Sequence, residues 1–260
     1  MVAFILVLAW AAAGAAQQVD SKAEQEMLKL LNLERARQGL MSLKLDPKLQ
    51  EAARQHSQLM AAKRQLAHEI GDEPAFSRRL ESAGAQFSSA GENVVLNQSA
   101  ESANQALMQS PPHRANILST KFNSVGIGVV RAGEDLWVTE DFAREYEKIT
   151  EQQARDRVFA AFQDARREAK APAVKLVKEP RLQTIACRMA HDGQLATRDV
   201  LALPNVHTAV AYTESDISAL PSSARKLAGD FAVGRIAIGA CFASSTKYPS
   251  GMYWVVIAGY

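Results

Sequence analysis

The chain has 260 residues, a formal net charge of +2, and 22% charged against 47% hydrophobic residues. This is the composition of an ordinary globular protein, and the length suits one large domain or two small ones. The nearly balanced charge gives no electrostatic case for binding nucleic acid or an anionic membrane surface. We therefore expect no nucleic-acid partner.

The first sixteen residues, MVAFILVLAWAAAGAA, carry no charged side chain and end in small residues. Such a run is typical of a secretory signal peptide, and we expect cleavage after Ala16. The run is shorter than the roughly 20 apolar residues that a membrane-spanning helix needs. After cleavage we expect no transmembrane span and an extracellular or periplasmic location; the alternative is an uncleaved membrane anchor.

Two amphipathic helices are predicted next. Ser21 and Glu24 have capping-box spacing before an apolar series that ends near Gly39, a suitable residue after a helix. The pair Asp46-Pro47 predicts a second helix start, with an acidic N-cap and proline in the first turn. His56 falls on the apolar stripe of that second helix, which favours a hydrogen-bonded core histidine, although it could border a cleft.

Weaker patterns follow. Residues 71–90 lack clear periodicity and are predicted to be mainly loop, whereas Ala100–Gln109 is predicted to be helical. The segment SPPHRANIL then presents His113 on a backbone restricted by two prolines. Ser110 is expected to act as an N-cap and Arg114 as a solvated or salt-bridged side chain.

VGIGVV and DLWVTEDF, joined by a turn at Gly133, predict an antiparallel hairpin. In the second strand, Glu140 alternates in phase with Leu136, Val138 and Phe142. The pattern therefore places one carboxylate on an apolar face.

The second half of the chain repeats features of the first. KEPRLQTIACRMA (178–190) resembles LDPKLQEAARQHS (45–57), and RIAIGACFA with MYWVVIAGY resembles the earlier hairpin. The same order of matching segments predicts two copies of one fold. The expected organisation is a signal peptide (1–16), a first domain (21–147), a helical linker (148–164) and a degenerate second domain (165–260).

The first half resembles the bacterial branch of the CAP superfamily (cysteine-rich secretory proteins, antigen 5, pathogenesis-related 1), also called the SCP domain. The resemblance depends on LNLERARQGL, LQEAARQHSQLMA, LAHE, GEN, SPPHRANIL, FNSVGIGVV and WVTEDF in this order. It implies an α+β fold, a three-layer α-β-α sandwich around a small antiparallel sheet. With the repeat, it implies two tandem CAP-like domains.

The resemblance also implies a cleft where two histidines and two glutamates converge. By motif position these are His68 of LAHE, Glu92 of GEN and His113. The other glutamate has no match, because Ser110 stands at its place. From its strand phase we infer that Glu140 could supply a second carboxylate.

Two imidazoles and a carboxylate suit Zn²⁺ or another divalent cation, so His68, His113 and Glu92 are the candidate metal ligands. Without metal, the same trio could form a polar cluster that holds a ligand head group. Structural roles remain open for each of them: a rigid-turn residue for His113, a hydrogen-bonded loop histidine for His68 and a cap for Glu92.

Three functions are compatible with these residues. The first is a secreted or envelope-associated module that binds an unidentified small-molecule, lipid or envelope ligand in the His/Glu cleft. The second is a metal-dependent hydrolase acting on peptide or cell-wall material, with Glu92 or Glu140 as base. The third is a structural interaction protein. We favour the non-enzymatic binding module.

The second copy is expected to have no cleft chemistry. Met189 stands at the place of His56, and neither GEN nor SPPHRANIL has a counterpart there. His191 and His207 are therefore expected to take no part in binding. A Cys187–Cys241 disulfide is compatible with export but is left open by the sequence.

Overall fold

The computed structural model describes residues 17–147 and 149–260, so the predicted signal peptide lies outside the described residues. These residues form two compact units. The first extends to Ala85 and includes Ser89–Arg144; the second includes Gln86–Ser88 and Glu145–Tyr260. Across these described ranges, no helix combines the length and apolar character needed to cross a membrane.

The first unit combines five helices with a five-stranded sheet. Its elements are β1 (Gln18–Val19), α1 (Ser21–Arg37), β2 (Lys44–Leu45), α2 (Pro47–Lys63), α3 (Phe76–Ser82), β3 (Phe87–Asn97), α4 (Ala100–Gln109), α5 (Pro111–Ile117), β4 (Ser124–Ala132) and β5 (Asp135–Glu145). The strand order is β1-β4-β5-β3, with β2 pairing in parallel to β4. The antiparallel β4–β5 pair confirms the predicted hairpin, and Gly133 has a φ of +67° in its turn.

Helices cover both faces of this sheet. On one face α2 lies directly on β4, because Gly126 and Gly128 have no side chain there. A Cβ atom at Gly126 would lie 2.1 Å from the backbone of Leu49, and one at Gly128 would lie 2.3 Å from the backbone of Ala53. On the other face, residues of α1, α4 and α5 share a core with β4; they include Met27, Leu31, Leu107, Ile117, Val125 and Ile127. The unit is therefore an α-β-α sandwich, as predicted.

The helix starts are partly as predicted. Asp46 caps α2 by accepting hydrogen bonds from the amides of Lys48 and Leu49, which confirms that start. The predicted capping box at Ser21 and Glu24 is wrong, because Asp20 caps α1 instead. Glu24 is buried and binds Arg54 of α2 at 2.6 Å. Its carboxylate joins two helices.

The interpretation of residues 71–90 as mainly loop is also wrong. This stretch contains α3 and the start of β3. Its side chains have weak periodicity because only three positions are buried, Arg79, Leu80 and Ala85, and the first of these is charged. Polar residues in a buried helix hide the apolar pattern that predicts it.

The second unit has its own sheet and helices. Its elements are α6 (Glu151–Glu168), β6 (Lys175–Leu176), α7 (Pro180–Asp192), α8 (Arg198–Leu201), β7 (Thr208–Glu214), α9 (Ser222–Ala228), β8 (Arg235–Ala243) and β9 (Met252–Gly259). The strand order is β6-β8-β9-β7, with β6 parallel to β8 and the other pairs antiparallel.

Helices again cover both faces of the sheet. Helix α7 packs on one face, where a Cβ atom at Gly239 would lie 2.1 Å from the backbone of Leu182. Helices α6 and α9 pack on the other face. Because Ala154, Val158 and Phe162 of α6 are buried in that core, this helix is part of the second unit rather than the predicted linker of residues 148–164.

A disulfide joins α7 to β8. Cys187 and Cys241 are bonded, with their Cα atoms 5.1 Å apart. The sequence left this pairing open because Cys187 lies off the apolar stripe of its helix. The close contact between α7 and the sheet nevertheless brings Cys187 beside the strand.

Candidate functional site

The candidate cleft is built around a hydrogen bond between a loop and the β3 strand. His68 lies in the loop between α2 and α3, and its side chain is 57% exposed, whereas that of Glu92 on β3 is 3% exposed. The Nδ1–H of His68 donates to Oε1 of Glu92 at 2.8 Å. This bond fixes the imidazole so that in its neutral form Nε2 carries the lone pair.

The second oxygen of Glu92 is also bound. Arg79 of α3 donates to Oε2 of Glu92, and it donates to the backbone carbonyl of His68 at 2.9 Å. Arg79 is buried. The guanidinium therefore neutralises Glu92 inside the protein and holds the loop that carries His68.

A second acid lies beside Glu92. Asp141 on β5 is fully buried, and neither carboxyl oxygen has a hydrogen-bond partner. Burial raises its pKa well above the ordinary value of 3.8, and the negative charge of Glu92 raises it further while Arg79 opposes the shift. The surroundings thus favour a neutral Asp141 next to an ionised Glu92.

His113 lies on α5, which begins at the two prolines. This is a short helix rather than the rigid turn that SPPHRANIL suggested, and Ser110 is its N-cap residue as predicted, although its side chain makes no capping hydrogen bond. The side chain of Asn116 donates to the backbone carbonyl of Glu92 at 3.2 Å and to Oδ1 of Asn93 at 2.9 Å. These bonds fasten α5, and with it His113, to β3.

Glu140 is buried and bound to Asn93. Its carboxylate is fully buried and accepts a hydrogen bond from the Asn93 side chain at 3.0 Å. Asn93 also donates to the His113 carbonyl at 3.2 Å. The sequence predicted Glu140 as a cleft carboxylate, whereas the structure buries this side chain and binds it to Asn93. Burial raises the pKa of Glu140 to about 7, although the Asn93 bond opposes the shift.

The two cleft histidines influence each other. Partial burial lowers the pKa of His113, and the nearby His68 lowers it further. A lowered pKa favours the neutral imidazole, which can bind a metal or accept a hydrogen bond. The imidazoles of His68 and His113 are therefore close enough to influence each other, and Glu92 binds the first of them.

The predicted metal trio is not formed as a ligand set. Within residues 17–147 and 149–260, no three His, Cys, Asp or Glu side chains are grouped so as to hold a metal ion. Glu92 is already bound on both oxygens, by His68 and by Arg79. Histidines that bind metals usually donate their other N–H to a carboxylate. A divalent metal here would depend on the two imidazoles, with Glu92 orienting His68 instead of ligating.

His56 is the core histidine that its helical phase predicted. It is fully buried, and its Nδ1 and Nε2 lie 2.9 Å from Oε1 of Glu73 and the carbonyl of Ala67, respectively. Glu73, Arg79, Asn93, Asn116 and Asp141 were not singled out from the sequence. Asn93 and Asn116 lie inside the motifs GEN and SPPHRANIL and could have been found there.

The fold and this site define an α-β-α sandwich domain with a cluster of histidine and carboxylate side chains at strand β3. A family model described as the cysteine-rich secretory protein family, CAP, matches residues 28–142. YkwD of Bacillus subtilis (strain 168), described as uncharacterized, is 34% identical over 118 residues, which cover 45% of this chain and 46% of that protein. Residues 28–142 therefore form a CAP domain, and this part of the chain has bacterial relatives.

Three further proteins are similar to this chain. The uncharacterized membrane protein YlbC of Bacillus subtilis (strain 168) is 27% identical over 131 residues, 50% of this chain and 37% of that protein. The matched part thus spans less than half of either relative. An extracellular SCP-domain protein from Bacillus anthracis str. Ames is 27% identical over 48% of this chain and 41% of its own, with a TM-score of 0.46. Na-ASP-1 is 11% identical over 98% of this chain and 92% of its own, with a TM-score of 0.48.

Proposed function

We propose that the CAP domain is an extracellular or envelope-associated binding module whose cleft, at His68 and His113, holds a ligand with the help of a divalent cation such as Zn²⁺. The observation that carries the proposal is the bond between the exposed His68 imidazole and the buried Glu92. A side chain that is oriented by a buried carboxylate and still exposed at its other nitrogen is prepared to bind something from solvent.

The metal would be held by one ring nitrogen from each histidine. When bound, Zn²⁺ would supply an electrophilic centre whose remaining positions accept water or an oxygen of the ligand. Glu92 keeps the Nδ1 proton on His68, which leaves the lone pair of Nε2 available to the metal. Arg79 prevents Glu92 from ligating, because both of its oxygens are already bound.

Binding is better supported than hydrolysis. A hydrolase needs a general base within reach of a water at the cleft. Glu92 is neutralised by Arg79, and Glu140 is buried beneath Asn93. Neither carboxylate that the sequence offered as a base faces solvent. The site therefore favours a module that recognises a ligand.

We further propose that the second unit is a degenerate CAP-like copy. The strand order, the parallel strand β6 and the glycine that lets a helix contact the sheet all have counterparts in the first unit. Gly126 pairs with Asp141 in the first sheet, and Gly239 pairs with Val256 in the second. The residue before each partner is Glu140 and Val255, so apolar side chains replace the buried acids.

Zinc titration of the full chain by calorimetry at neutral pH tests the proposal. We expect His68→Ala and His113→Ala each to weaken Zn²⁺ binding at least tenfold. The matched control is the double variant His191→Ala/His207→Ala, which removes two exposed histidines of the second unit. Wild-type protein without Zn²⁺ affinity would exclude the metal and leave a metal-free polar cleft. Equal losses in the control variant would exclude the site.

A further inference from the structure

A buried charge network connects the candidate cleft to the interior of the first unit. His56 on α2 is fully buried. Its Nδ1 lies 2.9 Å from Oε1 of Glu73, and its Nε2 lies 2.9 Å from the backbone carbonyl of Ala67. Both partners are hydrogen-bond acceptors, since a carboxylate and a carbonyl have no proton to donate. The His56 ring therefore bridges the side chain of Glu73 and the backbone of the loop that carries His68.

Glu73 also faces a buried cation. Its Oε2 lies 3.4 Å from Nη1 of Arg79, within ion-pair distance. Arg79 in turn binds the Glu92 carboxylate and the backbone carbonyl of His68. A chain of polar contacts thus runs from His56 through Glu73 and Arg79 to Glu92. The buried Arg79 cation lies between two carboxyl groups, which is the condition under which such a charge is tolerated.

His56 and Arg79 hold two consecutive carbonyl groups. His56 donates to the carbonyl of Ala67, and Arg79 donates to that of His68. These residues lie in the loop between α2 and α3, outside any helix or strand. The side chain of His68 is further fixed by Glu92. The network therefore fixes both the backbone and the imidazole of the same cleft residue.

We infer that His56 and Glu73 are positioning residues for His68, although neither side chain contacts it. This inference rests on the proposed cleft function and extends it into the core. Glu73 keeps Arg79 placed between Glu92 and the His68 carbonyl, and His56 keeps the preceding carbonyl in place. Loss of the Glu73 carboxyl group removes a shared partner of His56 and Arg79, so Arg79 and the loop must rearrange.

The test compares Glu73→Gln, His56→Gln and the double variant with wild type in the full chain. Zn²⁺ affinity is measured by calorimetry, and the ¹⁵N shifts of His68 report which ring nitrogen carries hydrogen in the metal-free protein. Glu24→Gln is the matched control, because it breaks another buried ion pair, with Arg54, without touching the cleft. Folding of every variant is checked by circular dichroism.

We expect each single variant to weaken Zn²⁺ binding on the order of tenfold, the lower end of the range for residues that support metal ligands. The double variant should lose little more than either single one, since both act through the same loop. In these variants His68 should lose its preference for the Nδ1–H form, while Glu24→Gln keeps wild-type shifts and affinity. If Glu73→Gln does not fold, His56→Gln alone decides.

Two outcomes overturn the inference: His68 shifts that match wild type in the folded Glu73 and His56 variants, or identical changes in Glu24→Gln. The failure of the proposed function looks different. In that case the wild-type chain does not bind Zn²⁺, yet the metal-free His68 shifts still change in Glu73→Gln, and the positioning role stands.

Discussion

Replacing Glu140 with glutamine should abolish a pH-dependent loss of stability. Burial raises the pKa of this carboxyl from its ordinary value of 4.5 to about 7. Between these pH values the folded state binds more protons than the unfolded state, so stability falls as the pH rises. One pKa unit corresponds to about 1.4 kcal/mol, so ionising Glu140 in the folded protein costs about 3 kcal/mol.

Glutamine cannot ionise, and its side-chain oxygen can still accept the hydrogen bond from Asn93. Relative to wild type, Glu140→Gln should therefore be nearly neutral at pH 4 and more stable by about 3 kcal/mol at pH 8. Urea unfolding followed by Trp137 fluorescence measures this, with Trp254 replaced by phenylalanine so that the signal reports the first unit. Trp10 belongs to the predicted signal peptide.

Asp135→Asn is the matched control, because it removes an exposed carboxylate from the same strand. Its stability difference from wild type should be the same at pH 4 and pH 8. A Glu140→Gln difference that also stays constant with pH would refute the argument. It would mean that the carboxylate is solvated, as a cleft ligand would be, and that the buried position described above is wrong.

Three further predictions concern the framework. Replacing Cys187 and Cys241 by serine should lower the free energy of unfolding of the second unit by about 4 kcal/mol, because the disulfide closes a loop over a separation of 54 residues. Urea unfolding measures this change, and an unchanged urea midpoint would contradict the prediction. Gly239→Ala should destabilise the same unit by about 3 kcal/mol, because its Cβ atom would meet the Leu182 backbone, whereas Gly234→Ala meets nothing within 4 Å and should be nearly neutral in thermal unfolding. Equal effects would contradict the contact. Arg79→Met should destabilise the first unit by about 3–5 kcal/mol, because it leaves Glu73 and Glu92 without their shared cation. Denaturant unfolding at neutral pH measures this change. A destabilisation of less than about 1 kcal/mol would contradict the prediction.

The sequence predicted the framework where the side-chain pattern is simple. The acid and proline at residues 46–47, the helix Ala100–Gln109 and the hairpin at Gly133 follow from local rules and are confirmed. Helix α3 could not be predicted in this way, because its buried face includes Arg79, a residue that pattern rules assign to solvent. Its burial depends on partners that are distant in sequence.

The same limit applies to the candidate site. The motifs identify His68, Glu92 and His113, but they do not indicate how each side chain is bound. Arg79 takes one oxygen of Glu92, which removes it as a ligand, and Asn93 lies between Glu140 and His113. Both facts depend on long-range packing. Strand phase predicts correctly that Glu140 is buried, but it does not indicate whether that buried face lines the cleft.

The most direct test of the account is zinc-edge X-ray absorption and anomalous diffraction on Zn²⁺-loaded protein. The account predicts one Zn²⁺ ion bound by Nε2 of His68 and by a ring nitrogen of His113, at about 2.0–2.1 Å from each. Glu92 should remain on Nδ1 of His68 and outside the metal's ligands. An ion found elsewhere, or one ligated directly by Glu92 with Arg79 displaced, would contradict it.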